Sequence, residues 1–72
     1  MDTIKIGDKF KEKMVPFPDK FFDWEYEVVG FKTEPYGKFA KCECKYPDGK
    51  TEPVGIAIEL LQEGNFYKKI IK

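Results

Sequence analysis

Two cysteines separated by one residue, Cys42 and Cys44, are the side chains of this 72-residue sequence whose type and spacing most directly suggest chemistry. On an extended strand, thiolates at i and i+2 turn toward one face and can both reach one soft metal ion. Zinc takes four ligands, however, and the chain has no His and no further Cys to complete the set. A disulfide between the two would be strained, because residues two apart on a strand sit near the upper limit of bridgeable Cα separation. The spacing therefore predicts two small reduced thiols that point into a core, with no metal and no cofactor.

Other routes to catalysis are equally thin. Without His or Ser, neither a Ser–His nor a Cys–His nucleophile pair can be built. Thirteen carboxylates are present, but no two are set apart as an acid and a base, and no GxxxxGK phosphate loop occurs. A domain this short has little volume for a desolvated pocket. The expectation is a binding protein and not an enzyme.

Charge directs attention to local patches. Thirteen basic residues, all Lys, balance thirteen acids, so no net field draws the chain toward nucleic acid or an anionic membrane. The absence of Arg also removes the planar fork that reads guanine edges bidentately. One candidate patch is the segment 15–24, which carries Phe17, Asp19, Phe21, Phe22, Asp23 and Trp24 in what should be a connection. Over residues 19–34 five acids face only Lys20 and Lys32, a balance suited to a basic protein partner. The alternative is that these rings fold back over an open end of a small barrel and serve as core. A second candidate is Tyr36, Lys38, Phe39, Lys41 and Lys45, rings and cations of the kind that hold single-stranded nucleic acid. Its alternative is a solvated outer strand face, since Glu43 sits amid the lysines.

These side chains need elements to position them. Ala40 to Tyr46 alternates small or apolar residues with charged ones, the period of a strand with one dry face; Ala40, Cys42, Cys44 and Tyr46 should point inward. Tyr46-Pro47-Asp48-Gly49-Lys50 then predicts a tight reversal. Thr51 to Ile58 forms the return strand, with Val54, Ile56 and Ile58 on one face. Trp24 to Phe31 reads as a long strand in which a bulge at Gly30 would let Phe31 join the core with Tyr26 and Val28. Ile4 to Lys11 suggests an opening turn and a first strand. Glu59 to Asn65 fits one helical or 3₁₀ turn stopped by Gly64, and Phe66 to Ile70 a last short strand.

Five short strands, a long first connection, a tight turn between strands three and four, and one helical turn before strand five resemble an SH3-like small barrel. The resemblance rests on Ile6-Gly7-Asp8-Lys9-Phe10, Tyr26-Glu27-Val28-Val29, the Asp48-Gly49 turn, and Ile58-Glu59-Leu60-Leu61 ahead of Phe66. Short barrel proteins of bacterial mobile elements and phages look similar in this order. The Ala-Leu-Tyr-type signature of proline-rich-peptide-binding SH3 domains is missing, so that ligand class is not carried over.

The whole chain, residues 1–72, is thus expected to form one mainly β, five-stranded SH3-like barrel with one short helical turn. Its expected role is that of a protein-protein binding module, a small phage or mobile-element regulator or inhibitor of a host protein, with nucleic-acid binding as the alternative. Neither a membrane-length apolar run nor an apolar leader follows Met1-Asp2-Thr3, which places the expectation in the cytoplasm, as a monomer or a homodimer.

Overall fold

The computed structural model describes residues 4–14, 17 and 19–70. Five antiparallel strands form one sheet: β1 (Lys9–Lys13), β2 (Phe21–Glu34), β3 (Gly37–Lys45), β4 (Thr51–Ala57) and β5 (Tyr67–Ile70), with a six-residue helix, α1 (Ile58–Glu63), between β4 and β5. Their order across the sheet is β4-β3-β2-β1-β5. Among the described residues β4 and β5 do not pair, so the sheet is not closed by strand hydrogen bonds. Helix α1 lies in contact with β3, β4 and β5 and spans that gap.

Turn chemistry fixes the register. At the start, Asp8 N–H donates to the Lys5 carbonyl and Lys5 N–H donates to the Asp8 carboxylate at 2.8 Å, with Gly7 supplying the positive φ of 97° that a type II turn needs at its third residue. The turn is stapled to β2 by Gly7 N–H to the Val28 carbonyl and Val28 N–H to the Asp8 carbonyl. Between β3 and β4 the reversal falls where Pro47, Asp48 and Gly49 predict it, closed by Gly49 N–H to the Tyr46 carbonyl and Tyr46 N–H to the Lys50 carbonyl. The β2–β3 connection is only Pro35-Tyr36, and neither residue has positive φ. It is therefore not one of the primed turns whose twist matches the flanking strands.

Alternation decides the core. Phe10 of β1, Tyr26 and Val28 of β2, Ala40, Cys42 and Cys44 of β3, and Ile56 of β4 are buried together with Ile4 and the α1 residue Leu61. Burying each larger apolar side chain contributes roughly 1.5–3 kcal/mol. Small residues on β3 meet larger ones across the ladder, Cys44 opposite Tyr26 and Cys42 opposite Val28, so the β2 side chains fill the space that the thiols leave. Tyr46, expected inward, is half-buried and packs against this cluster, as do Val54 and Ile58.

Two irregularities aim side chains. The β2–β3 register slips between Val28 and Gly30, leaving Val29 as the bulged residue. Phe31 does shift into register with the buried Ala40, but it remains 44% exposed. The expectation that it joins the core is corrected: β4 still accompanies β3 at this rung, but the β1 pairing ends at Glu27, and the ring is left partly open to solvent. In the β1–β2 register, Phe22-Asp23-Trp24 stand opposite Glu12 alone, a bulge that crowds two rings against one carboxylate.

Gly64 ends α1 with φ of 75°, and a Cβ there would meet no atom within 4 Å. Gly64→Ala should thus cost only the left-handed backbone penalty, about 1–2 kcal/mol. Gly55→Ala, where a Cβ also enters open space and φ is not left-handed, should leave stability nearly unchanged. Urea unfolding of both variants checks this; equal midpoints would contradict it.

Candidate functional site

Of the two patches that the sequence suggests, neither assembles as a unit. In the first, Phe22 and Trp24 face inward and stack at 4.5 Å between ring centroids, with Trp24 edge-on to Tyr46 at 5.8 Å. Phe21 belongs to the opposite parity of β2, and Lys68 lies 5.9 Å from its ring centre. Asp23 is exposed on the same strand, while Phe17 and Asp19 are exposed on the connection before it. Residues 15, 16 and 18 of that segment lie outside the described residues. The rings thus divide between a packing role, for Phe22 and Trp24, and an outward one, for Phe17 and Phe21.

The sequence gives little reason to pick out Glu12, yet it organises the inner rings. Its Oε1 accepts the Tyr26 hydroxyl at 2.7 Å and Trp24 Nε1–H at 3.2 Å. Tyr67 meets Tyr26 edge-to-face at 5.5 Å. Burial and then this hydrogen bond to Glu12 push the Tyr26 phenol well above its ordinary pKa, because ionising it would place two anions side by side in a dry site. Burial raises Tyr67 as well. The signal for Glu12 was its spacing: it stands two residues after the core residue Phe10 and is the one acid among the lysines of β1.

The second patch also separates. Tyr36 and Phe39 touch edge-to-face at 5.6 Å, and Lys38 lies beside them. Lys41 and Lys45 alternate with Glu43 along β3, on the parity opposite to Ala40, Cys42 and Cys44. There Lys45 is bound to Glu27, whose hydrogen bond raises the lysine pKa. No continuous basic track joins these residues.

Tyr36 and Phe39 belong instead to a concavity of about 600 Å³ between the β2–β3 tip and α1. Its apolar lining is Ile4, Phe31, Tyr36, Phe39, Ala57 and Ile58, and Lys38, Glu59 and Gln62 supply the polar groups. Phe31 at 44% and Tyr36 at 80% are large rings left open to solvent on this hairpin. The sequence hid Phe31 because its alternation reads as core.

The thiols lie in the core beneath the inner rings. Cys42 and Cys44 are both free and buried, and burial pushes Cys42 up to about 11. Among the described residues no cluster of three or more His, Cys, Asp or Glu could hold a metal ion. No described helix is long and apolar enough to cross a membrane. Comparison with family models, curated proteins and solved structures finds no match to this chain.

The native thiols should resist an aromatic disulfide reagent at mildly alkaline pH and react only as fast as the domain opens, with both titrating at once in urea; rapid native labelling would contradict their burial. The phenols set an alkaline limit. Because the folded pKa of Tyr26 is raised, its contribution is complete below the unfolded value of about 10 and is lost as pH climbs toward the folded value. Stability should fall above about pH 10, and Tyr26→Phe should flatten that fall in a pH series of urea melts.

Proposed function

We propose that this chain is a non-catalytic protein-protein binding module that docks its partner in the concavity between the β2–β3 tip and α1. The observation that carries this reading is the open pair of rings, Phe31 and Tyr36, flanking a depression that Phe39 and Ile58 floor with apolar surface. Exposed aromatics beside a concave apolar floor are what interface anchors are made of. Lys38 and Glu59 on its rim carry opposite charges, which favours a mixed-polarity protein surface over a polyanion. A regulator or inhibitor of phage or mobile-element origin, acting in the cytoplasm, is the biological setting that this reading suits.

The same reading takes the fold as an SH3-like small barrel. Its supports are the position of β1 between β2 and β5, the bulged long second strand, and the helical turn between the last two strands.

Immobilised protein exposed to a bacterial lysate tests the site. A partner should be retained by the wild type and lost from Tyr36→Ser and Phe31→Ser, each weakening the purified pair by roughly 30-fold or more, as anchors do. Tyr36→Ser sits on an exposed turn and should change stability by no more than about 0.5 kcal/mol. Retention of the same proteins by wild type and both variants would reject the groove as the docking site.

A further inference from the structure

A second surface, disjoint from the tip groove in every charged and aromatic residue, has a different character. Two adjoining concavities flank β5, one of about 400 Å³ lined by Lys11, Phe21, Lys68, Lys69 and Ile70, and one of about 510 Å³ that shares Phe21, Lys68 and Lys69 and adds Lys13 and Asp19. Four lysines therefore meet one acid in the combined lining. Nearby carboxylates temper this without reversing it. Asp8 holds Lys69 at 3.4 Å, Glu25 stands opposite Lys11 in the ladder, and Glu12 is turned inward to Trp24 and Tyr26. Lys13 donates to the Gly64 carbonyl at 2.5 Å, a neutral acceptor, and shares its concavity with Asp19. Just beyond lies Lys20; Lys9 shares the β1 face of Lys11 but stands opposite Glu27, and exposed Asp23 lies two residues from Phe21 on β2.

Rings accompany these cations as well. The Lys68 ammonium lies 5.9 Å from the Phe21 ring centre, and Lys20 repeats the arrangement 5.4 Å from that of Phe17. Phe21 lines both concavities, and Phe17 is 55% exposed. In each pair the ammonium lies over one face of the ring, so a base would stack on the other face or displace the lysine toward its phosphate.

We infer that the β1–β5 surface binds single-stranded nucleic acid, with a base stacked at Phe21 and phosphates met by Lys11, Lys13 and Lys68. Positive charge alone would serve an acidic peptide equally. The rings favour the nucleic acid, because every base has a π-face to stack and aspartate and glutamate side chains have none. A duplex hides those faces, which selects the single strand. The site shares no charged or aromatic residue with the protein-docking groove, so substitutions at Phe21 and at Tyr36 test the two readings separately.

The test is fluorescence anisotropy of a labelled oligothymidylate about twelve nucleotides long, a length within the range that one small barrel covers. Binding should appear at low salt and weaken with a log–log salt slope of about −2, the value for three phosphate contacts on a single strand. Lys11→Gln with Lys68→Gln should lower affinity at least about tenfold and reduce the slope toward about −0.7, since two of the three contacts are gone. Phe21→Leu should lower affinity by roughly tenfold with the slope unchanged, the mark of lost stacking. Lys68 is exposed, so Lys68→Gln alone provides a variant that keeps the fold. No binding at low salt, full binding by the lysine and phenylalanine variants, or displacement by polyglutamate as readily as by unlabelled oligothymidylate would each overturn the assignment. A loss caused equally by Tyr36→Ser would also overturn it, by moving the strand to the tip groove.

Discussion

Strand β2 is the constraint on which the rest of this protein depends. It is 14 residues long, pairs with β3 along most of its length, and carries β1 on its other edge only as far as Glu27. A period of two means that one bulge reverses the face of everything beyond it. The bulge at Val29 does this. Before it, Tyr26 and Val28 enter the core; after it, Phe31 takes the inner parity but lies beyond the end of the β1 pairing and stays partly exposed. The same strand thus supplies the centre of the fold and its most accessible apolar hairpin.

A chain this short has few ways to fill an interior, and here the filling is done by rings against small residues. Ala40, Cys42 and Cys44 lie in a row on β3, a strand interior that would leave voids if its neighbours were equally small. Tyr26 and Tyr67 pack over that row, and Phe22 and Trp24 extend it toward the β3–β4 turn through Tyr46. Trp24 and Tyr26 in this set carry polar atoms that must be satisfied when buried. Glu12 satisfies both, which is why a single carboxylate is tolerated on an inner face and why its removal would leave two orphaned donors. The tyrosine hydroxyl of Tyr46 is met in the same way by Glu52 at 2.7 Å.

Much of this was legible in the sequence where the signal was local. The Pro47-Asp48-Gly49 reversal, the inward set of β3, the helical stop at Gly64 and the five-strand order all follow from turn chemistry and period two. What could not be read depended on where strands end relative to one another. Nothing local says that β1 stops short of the β2–β3 tip, so Phe31 looks like core. The rings of segment 15–24 are close in sequence, yet a strand sends Phe21 and Phe22 to opposite faces, and a contiguous patch in the chain becomes two in space. Conversely, Lys11 and Lys68 are 57 positions apart and become neighbours only through the β1–β5 pairing.

Helix α1 shows how few residues separate the two concave surfaces. It occupies the gap between β4 and β5, where two unpaired strand edges would otherwise face each other, and Leu61 anchors it in the core. Ile58 and Glu59 wall the tip groove, whereas Leu61 and Gly64 wall the lysine-lined concavity, and Gln62 borders both. Lys13 ties the end of this helix to β1 through the Gly64 carbonyl, and Lys13 N–H to the Phe66 carbonyl secures the chain just beyond it. Six residues held at three points therefore set the shape of both depressions. A displacement of α1 would alter the two together, so the packing of Leu61, which anchors the helix in the core and also walls the lysine-lined concavity, bears on both depressions.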